Sequence, residues 1–446
     1  MSDVGIDEPQ SIVRRLVRLA WPMVLYGLVQ AFVTANDALL LGTAGSAAIA
    51  SAGAAGAVVM VITFFFSGLG GTGGQILVSR HWGSGDKDAA GVVTERALLL
   101  VVVLALPLLV AAAVAATPLL DAIGGTAVDT GLAAAMLHIC LPGALAACVG
   151  GVLRGYATGI GATRVVMVAS LTASVVDVGL SVALLLAGMG PLAVSVGTAC
   201  GMIASAGVLA GWVARRRRAG EPAPSVLASR RHRWRSTAEV WRVGWPEALL
   251  GAFSAGAGIV VTVLMSRSAP SQLAAARVIE ATTTLTWTVL NGIGAAGLTL
   301  LGQALGASSP SAYRRVLRAM LIVGGCAAAL LLAGGPLLTG AYLGTSFDDE
   351  VIRAARPVLL LAWAQVCWIL LSTLLLGICR SHKDTVASLR ASLAAEYLVF
   401  LPVGWLVCRV LDLGVTGLFL AHHAFWLAFC AVLAVPAIRH VRRQDP

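Results

Sequence analysis

Asp37 stands beside Asn36 deep in a long apolar stretch, with Thr34 one turn away and Gln30 and Tyr26 on successive turns before it. An ionisable side chain at bilayer depth costs about 2.5–3.5 kcal/mol on insertion scales, so each one is a functional candidate by default. A carboxylate in that setting can take up and release a proton. Asp177 lies in the middle of the fifth apolar run with Ser181 one turn on, and Thr198 lies in the sixth. Asp37, Asp177 and Thr198 can form one polar cluster. Two neighbouring carboxylates titrate as a coupled pair; the same oxygens could hold sodium instead.

The later part of the chain offers other charges. Arg277 and Glu280 are three residues apart, a helical spacing that permits an internal ion pair. Glu396 lies mid-run in the eleventh apolar stretch, where it can face a cavity and attract cations. Trp287, Trp363, Trp368 and Tyr397 can stack on aromatic ligands or serve as packing. Glu247 follows Pro246 near a polar end and reads as a solvated or capping residue. No nucleophile–base set or metal-ligand spacing stands out, and no GxxxxGK[ST] phosphate loop occurs. The eight cysteines lack a CxxC and read as small buried hydrophobes. An enzyme is not expected, nor a cofactor or metal beyond a coupling ion, H+ or Na+.

The elements that must position these residues are membrane helices. The chain is 58% hydrophobic and 12% charged, against roughly a quarter charged in soluble domains. Twelve apolar runs are long enough to span: 13–42, 47–79, 92–117, 129–156, 164–188, 191–214, 239–268, 272–303, 312–335, 351–379, 384–409 and 414–439. Their Gly, Ala, Leu and Val content suits closely packed helices, and the short alternating segments of a barrel are absent. The expected class is an all-α polytopic membrane protein. The net charge of +10 sits in every second connection, densest at Arg215 to Arg218 and Arg230 to Arg235. That pattern is a topological signal: both termini and the central linker are expected on the cytoplasmic side of the plasma (inner) membrane. Anionic lipid contact is possible there, and nucleic acid is not an expected partner.

An internal duplication organises the runs. Arg18-Leu-Ala-Trp21-Pro22 returns 224 residues later as Arg242-Val-Gly-Trp245-Pro246. Gly68-Leu-Gly70 returns at Gly292-Ile-Gly294, again 224 apart. With six runs per copy the repeat is parallel. It divides the chain into a first lobe at 1–214, an Arg-rich linker and hinge at 215–238, and a second lobe at 239–446. Pro22 and Pro246 each remove a helix hydrogen bond and are expected to bend their helices. The copies differ in chemistry: Val260-Val261 stands where the first half has Asn36-Asp37.

These motifs, in this order, resemble the multidrug and toxic compound extrusion (MATE) transporters. The specific pieces are Trp21-Pro22 with Asn36-Asp37, Gly68-Leu-Gly70, Leu153-Arg154-Gly155 through Thr163, Gly190 through Thr198, and Leu301-Gly302-Gln303 through Ala307. The resemblance covers both halves. It implies two six-helix lobes around a central cavity and export of amphipathic or cationic drug-like molecules, driven by inward proton or sodium flow. It also implies that Asp37 couples the ion. Ser174, Asp177 and Ser181 fall on family polar positions with the acid shifted by about one turn, and Asn36, Thr198 and Ser181 would complete the ion-coupling set. The acids that one branch carries on helices 7 and 10 fall near Ser254 and Gln365, so a second-lobe site of that type is not expected. Tyr26, Gln30, Glu280, Glu396, Trp287 and Gln365 are the expected substrate-cavity residues. A monomer is expected, with a small-molecule substrate and membrane lipid as partners. The rival reading is a lipid-linked precursor flippase of the same superfamily, which a cavity lined by many arginines would favour.

Overall fold

The computed structural model describes residues 9–124, 128–224, 233–265 and 268–444, with side chains described for all of these but 9–11, 123–124, 233–235, 254–263 and 346. All regular structure among the described residues is helical. Twelve long helical runs follow the duplicated pattern. They are α1 (Pro9–Gly42), α2 (Ser46–Gly83), α3 (Lys87–Val114), α4 (Thr130–Gly159), α5 (Thr163–Leu186), α6 (Leu192–Arg218), α7 (Arg233–Met265), α8 (Pro270–Gly306), α9 (Pro310–Ser346), α10 (Asp349–Ser381), α11 (Thr385–Val410) and α12 (Gly414–Arg442). A short helix, Ala116–Gly124, follows α3. Among the described residues, eleven runs are long and apolar enough to cross a membrane; α7 is a continuous 33-residue helix at the place the repeat assigns to the seventh span.

Polar residues at the run ends decide where the helices start. Asp86, Asp129 and Asp384 each accept a hydrogen bond from the backbone N–H three residues on, at 3.0, 3.0 and 3.2 Å, capping α3, α4 and α11. Such caps stabilise a helix start by about 1 kcal/mol. α2 and α11 are not uniform. Ser67–Thr72 and Ala394–Phe400 are π-helical turns within these runs, and such bulges frequently mark functional sites because they re-aim side chains. The Gly68–Gly73 string therefore lies inside a helix that continues to Gly83.

Two compact units emerge from the packing. One is Leu25–Ala255; the other joins Met1–Val24 to Gly256–Pro446. This differs from the linear division at 1–214 and 239–446. The chain crosses from one unit to the other inside α1, two residues after Pro22, and inside α7, nine residues after Pro246. The 215–238 segment falls within the bounds of the Leu25–Ala255 unit. Both prolines lie in the interior of unbroken helices.

In the Leu25–Ala255 unit, small residues let backbones approach, the packing mode favoured where lipid removes the hydrophobic drive between helices. A Cβ on Gly197 of α6 would stand 2.6 Å from the Asp177 carbonyl of α5, and one on Gly201 would stand 2.9 Å from the Ala173 carbonyl. α2 and α7 touch in the same manner, since a Cβ on Gly68 would meet the Glu247 carbonyl at 2.2 Å. Glu247 is consequently only 3% exposed, which corrects the solvated or capping role expected for it. In the other unit, Leu16, Leu19 and Ala20 of α1 pack with Leu290 and Ile293 of α8 and with Tyr313 and Val316 of α9. Arg15 donates to Gln303 at 2.9 Å at the edge of that core.

Candidate functional site

The Leu25–Ala255 unit holds a cavity of about 320 Å³ whose wall includes Tyr26, Gln30, Thr34 and Asp37 from α1, and Ser170, Ser174 and Asp177 from α5. Thr198 of α6 completes that wall beside Asp177. Asp177 is 4% exposed and accepts hydrogen bonds on Oδ1 from Ser181 at 3.3 Å and Thr198 at 3.4 Å. Asp37 has Thr198 and Asn36 as its polar neighbours, and the two carboxylates interact electrostatically. Thr198 is thus the side chain between the two acids. Several polar atoms here lack partners: Asp37 Oδ1, Asn36 Nδ2 and Ser174 Oγ are buried without a hydrogen bond. Unpaired buried polar groups are uncommon and expensive, by about 1–3 kcal/mol each. Their clustering leaves room for a proton or a small cation with its ligands. The residues expected to couple the ion are therefore brought together, with Ser181 behind Asp177 and Asn36 beside Asp37.

Arg154 is the residue that sequence reasoning did not place here. It appears in the sequence only as part of the Leu153-Arg154-Gly155 motif, yet it lies within α4 and turns into this cavity. Its guanidinium donates to Tyr26 Oη and to Ser67 Oγ, and it stands 5.4 Å from the Tyr26 ring centroid. Ser67 is delivered by the first π-helical turn. Arginine's planar fork makes two directed bonds at once, which lysine cannot reproduce. Arg154→Lys should therefore reduce efflux from proteoliposomes, the activity the resemblance implies, about tenfold, with expression and thermal unfolding in detergent little changed. Unaltered transport would make the arginine dispensable to the cavity.

The other unit has its own cavity, about 390 Å³, and it gathers the remaining candidates: Glu280, Trp287, Gln365 and Glu396 all line it. The six residues expected in one substrate cavity are thus sorted into two cavities, Tyr26 and Gln30 in one and these four in the other. Glu280 is paired with Arg277 at 2.9 Å, as its spacing suggested, and still faces the cavity. Glu396 comes from the π-helical turn of α11. Trp426 donates to Gln365 Oε1 at 3.3 Å and lies 6.0 Å from Trp287, so the two indoles form an aromatic wall. His422 was missed in the sequence. It lines the cavity, stacks on Phe400 at 5.0 Å, and its Nδ1 is buried without a partner. Its only sequence signal was a His pair in an apolar helix.

Of the other aromatics, Trp363 is 2% exposed and donates to Thr339 at 3.0 Å, and Trp368 donates to His423 at 3.0 Å, so both are structural. Tyr397 is 48% exposed and outside the cavity wall. Ser254, Val260 and Val261 lie outside the residues whose side chains are described, as do Arg230 to Arg235.

Comparison with known proteins decides the family. The MatE family model matches residues 22–183 and again residues 246–406, two copies whose starts are 224 apart, the offset of the internal repeat. The chain belongs to the MatE family. A probable multidrug resistance protein NorM from Neisseria meningitidis serogroup A is 24% identical over 442 residues, covering 96% of this chain and 92% of that protein. A second NorM, from Mannheimia succiniciproducens, is 26% identical over 205 residues, 45% of this chain and 43% of its own length. In structure, an outward-facing multidrug resistance MATE family transporter of the MOP superfamily aligns over the whole of both chains, with TM-score 0.85 at 18% identity. The eukaryotic MATE transporter AtDTX14 aligns over 98% of each chain, with TM-score 0.85 at 16% identity. These likenesses give the MatE chain its fold, that of the multi-pass, twelve-helix MATE transporters.

Proposed function

We propose that this MatE protein is a secondary antiporter that exports amphipathic or cationic drug-like molecules by alternating access, in exchange for protons or sodium. The observation that carries the reading is Asp37 and Asp177 on one small cavity with Thr198 between them. Two like charges sharing a low-dielectric pocket repel, and either a proton or a cation relieves that repulsion. Such a site responds to an ion gradient by changing its charge. Protons are favoured over sodium because two carboxylates share the wall and a single proton taken up by either relieves their repulsion. The protein is placed in the plasma (inner) membrane with both termini cytoplasmic, on the strength of the arginine pattern. It acts without a cofactor and as a monomer.

Glu280, Glu396 and the aromatic wall of the second cavity suit a cationic aromatic substrate. Glu396 has no cation paired with it among the described residues, so Glu396→Gln should raise KM for a cationic substrate about tenfold while a neutral analogue changes little. An equal change for both would remove it from substrate recognition. The flippase alternative wants an arginine-rich cavity for a phosphorylated headgroup. The first cavity carries one arginine against two aspartates, a balance that suits cations.

The test is efflux from proteoliposomes with pH and sodium gradients imposed separately. Export driven by the pH gradient alone is the expected result. Export that follows only the sodium gradient would reassign the ion, and export indifferent to both would end the antiporter reading.

A further inference from the structure

A third cavity, in the Leu25–Ala255 unit and separate from the Asp37–Asp177 site, measures about 920 Å³, within the size range of small-molecule sites. Its walls are apolar: Leu99 and Val102 of α3, Val149 and Leu153 of α4, and Val213 of α6. Leu99 is 53% exposed and Val102 37%, so the slot opens on the lipid-facing side of these helices. Three arginines stand in it. Arg217 and Arg218 belong to the run of four that ends α6. Arg96 lies on α3 inside the apolar zone, only 8% exposed, and its Nε is buried with no hydrogen-bond partner. Glu95, the acid on the same wall, has a partner of its own.

A guanidinium buried without an anion is costly, because desolvation is repaid only by a well-placed counter-charge. The four arginines that end α6 more than offset the partial negative charge of its C-terminus and leave the rim of the slot net positive. What remains open is an anion for Arg96 and hydrocarbon for the walls beneath it. One amphiphile supplies both. We propose that the slot between α3, α4 and α6 binds an anionic phospholipid, its phosphate against Arg96, Arg217 and Arg218 and an acyl chain along Leu99, Val102 and Leu153. Basic clusters near a membrane surface attract anionic headgroups, and a buried guanidinium adds bidentate geometry suited to phosphate. The site stands apart from the transport cavities and does not depend on which ion or drug the protein carries.

Native mass spectrometry of the purified full-length protein tests it. Phosphatidylglycerol and phosphatidylcholine of equal chain length are added in parallel, with inorganic phosphate as a third arm. The expected result is at least about tenfold preferential retention of phosphatidylglycerol, lost in the Arg96→Gln, Arg217→Gln, Arg218→Gln variant and unaffected by inorganic phosphate. Val102→Trp, which fills the slot and leaves every arginine, should lower phosphatidylglycerol retention about tenfold. Should Arg96→Gln impair folding, the Arg217→Gln, Arg218→Gln variant carries the same reading with two exposed residues. Equal retention of the two lipids would overturn the proposal, as would an arginine variant that keeps the preference. Displacement by inorganic phosphate would reduce the site to a bare anion pocket and overturn the lipid assignment.

Discussion

Asp37→Asn and Asp177→Asn should each reduce gradient-driven efflux by about ten- to a hundredfold, and the double variant should be no worse than the worse single one. The loss follows from removing the ionisable charge: an amide can neither take up a proton nor hold a cation, so the site no longer changes its charge with the gradient. The non-additivity follows from the geometry. Both carboxylates line one cavity and share Thr198 as a neighbour, so they act as a unit, and removing either member disables the pair. Asparagine preserves shape and can still accept from Ser181 and Thr198, so expression and thermal stability should hold. Substrate affinity at fixed pH should change by only a few-fold, because neither residue lines the aromatic cavity. The measurements are efflux from proteoliposomes under an imposed pH gradient and equilibrium binding in detergent. Wild-type efflux from Asp177→Asn would make that residue a tie between α5 and α6. Additive losses would mean two independent sites.

The second large effect is structural. Gly197→Val should destabilise the protein by about 1–3 kcal/mol or more and abolish transport together with it. The added Cβ would fall 2.0 Å from Ser181 Oγ and 2.6 Å from the Asp177 carbonyl. The hydroxyl could rotate away; the backbone of α5 could not without moving Asp177. Gly207→Ala supplies the contrast on the same helix. No heavy atom lies within 4 Å of its would-be Cβ, so alanine should stabilise α6 by about 0.5–1 kcal/mol through its better helix propensity. Thermal unfolding followed in detergent separates the two. A stable, active Gly197→Val would show that α5 and α6 need not approach so closely.

The sequence made the Asp37, Asp177 and Thr198 cluster legible because charges are scarce in apolar runs, and scarcity isolates the working residues. Asp129 and Asp384 cap helices where the apolar runs at 129 and 384 begin. The helix capped by Asp86 instead starts five residues before the apolar run at 92, because its first turn is polar. Arg154 was not legible. A basic residue close to an Arg-rich connection satisfies the topology rule wherever its side chain points, and only the packing of α4 against Tyr26 and Ser67 turns it inward. Glu396 and Ser67 were aimed by π-helical turns, which shift a helix face by an inserted residue and leave no mark in a periodicity count. Glu247 reads as solvated from its neighbours in sequence; glycine contact between α2 and α7 buries it. His422 had no charge or spacing partner in the sequence to announce it.

The crossing of the chain between its two compact units bears on how such a protein can be assembled. A break in the 215–238 linker would give two pieces of six long helices each, matching the duplicated sequence. Neither piece would correspond to a unit. The first would own most of the Leu25–Ala255 unit but carry the Leu16, Leu19 and Ala20 contribution to the other core. The second would return the favour with the portion of α7 that ends at Ala255. Each half thus lends an arm to its sibling. Halves produced separately are therefore expected to need each other to complete either unit.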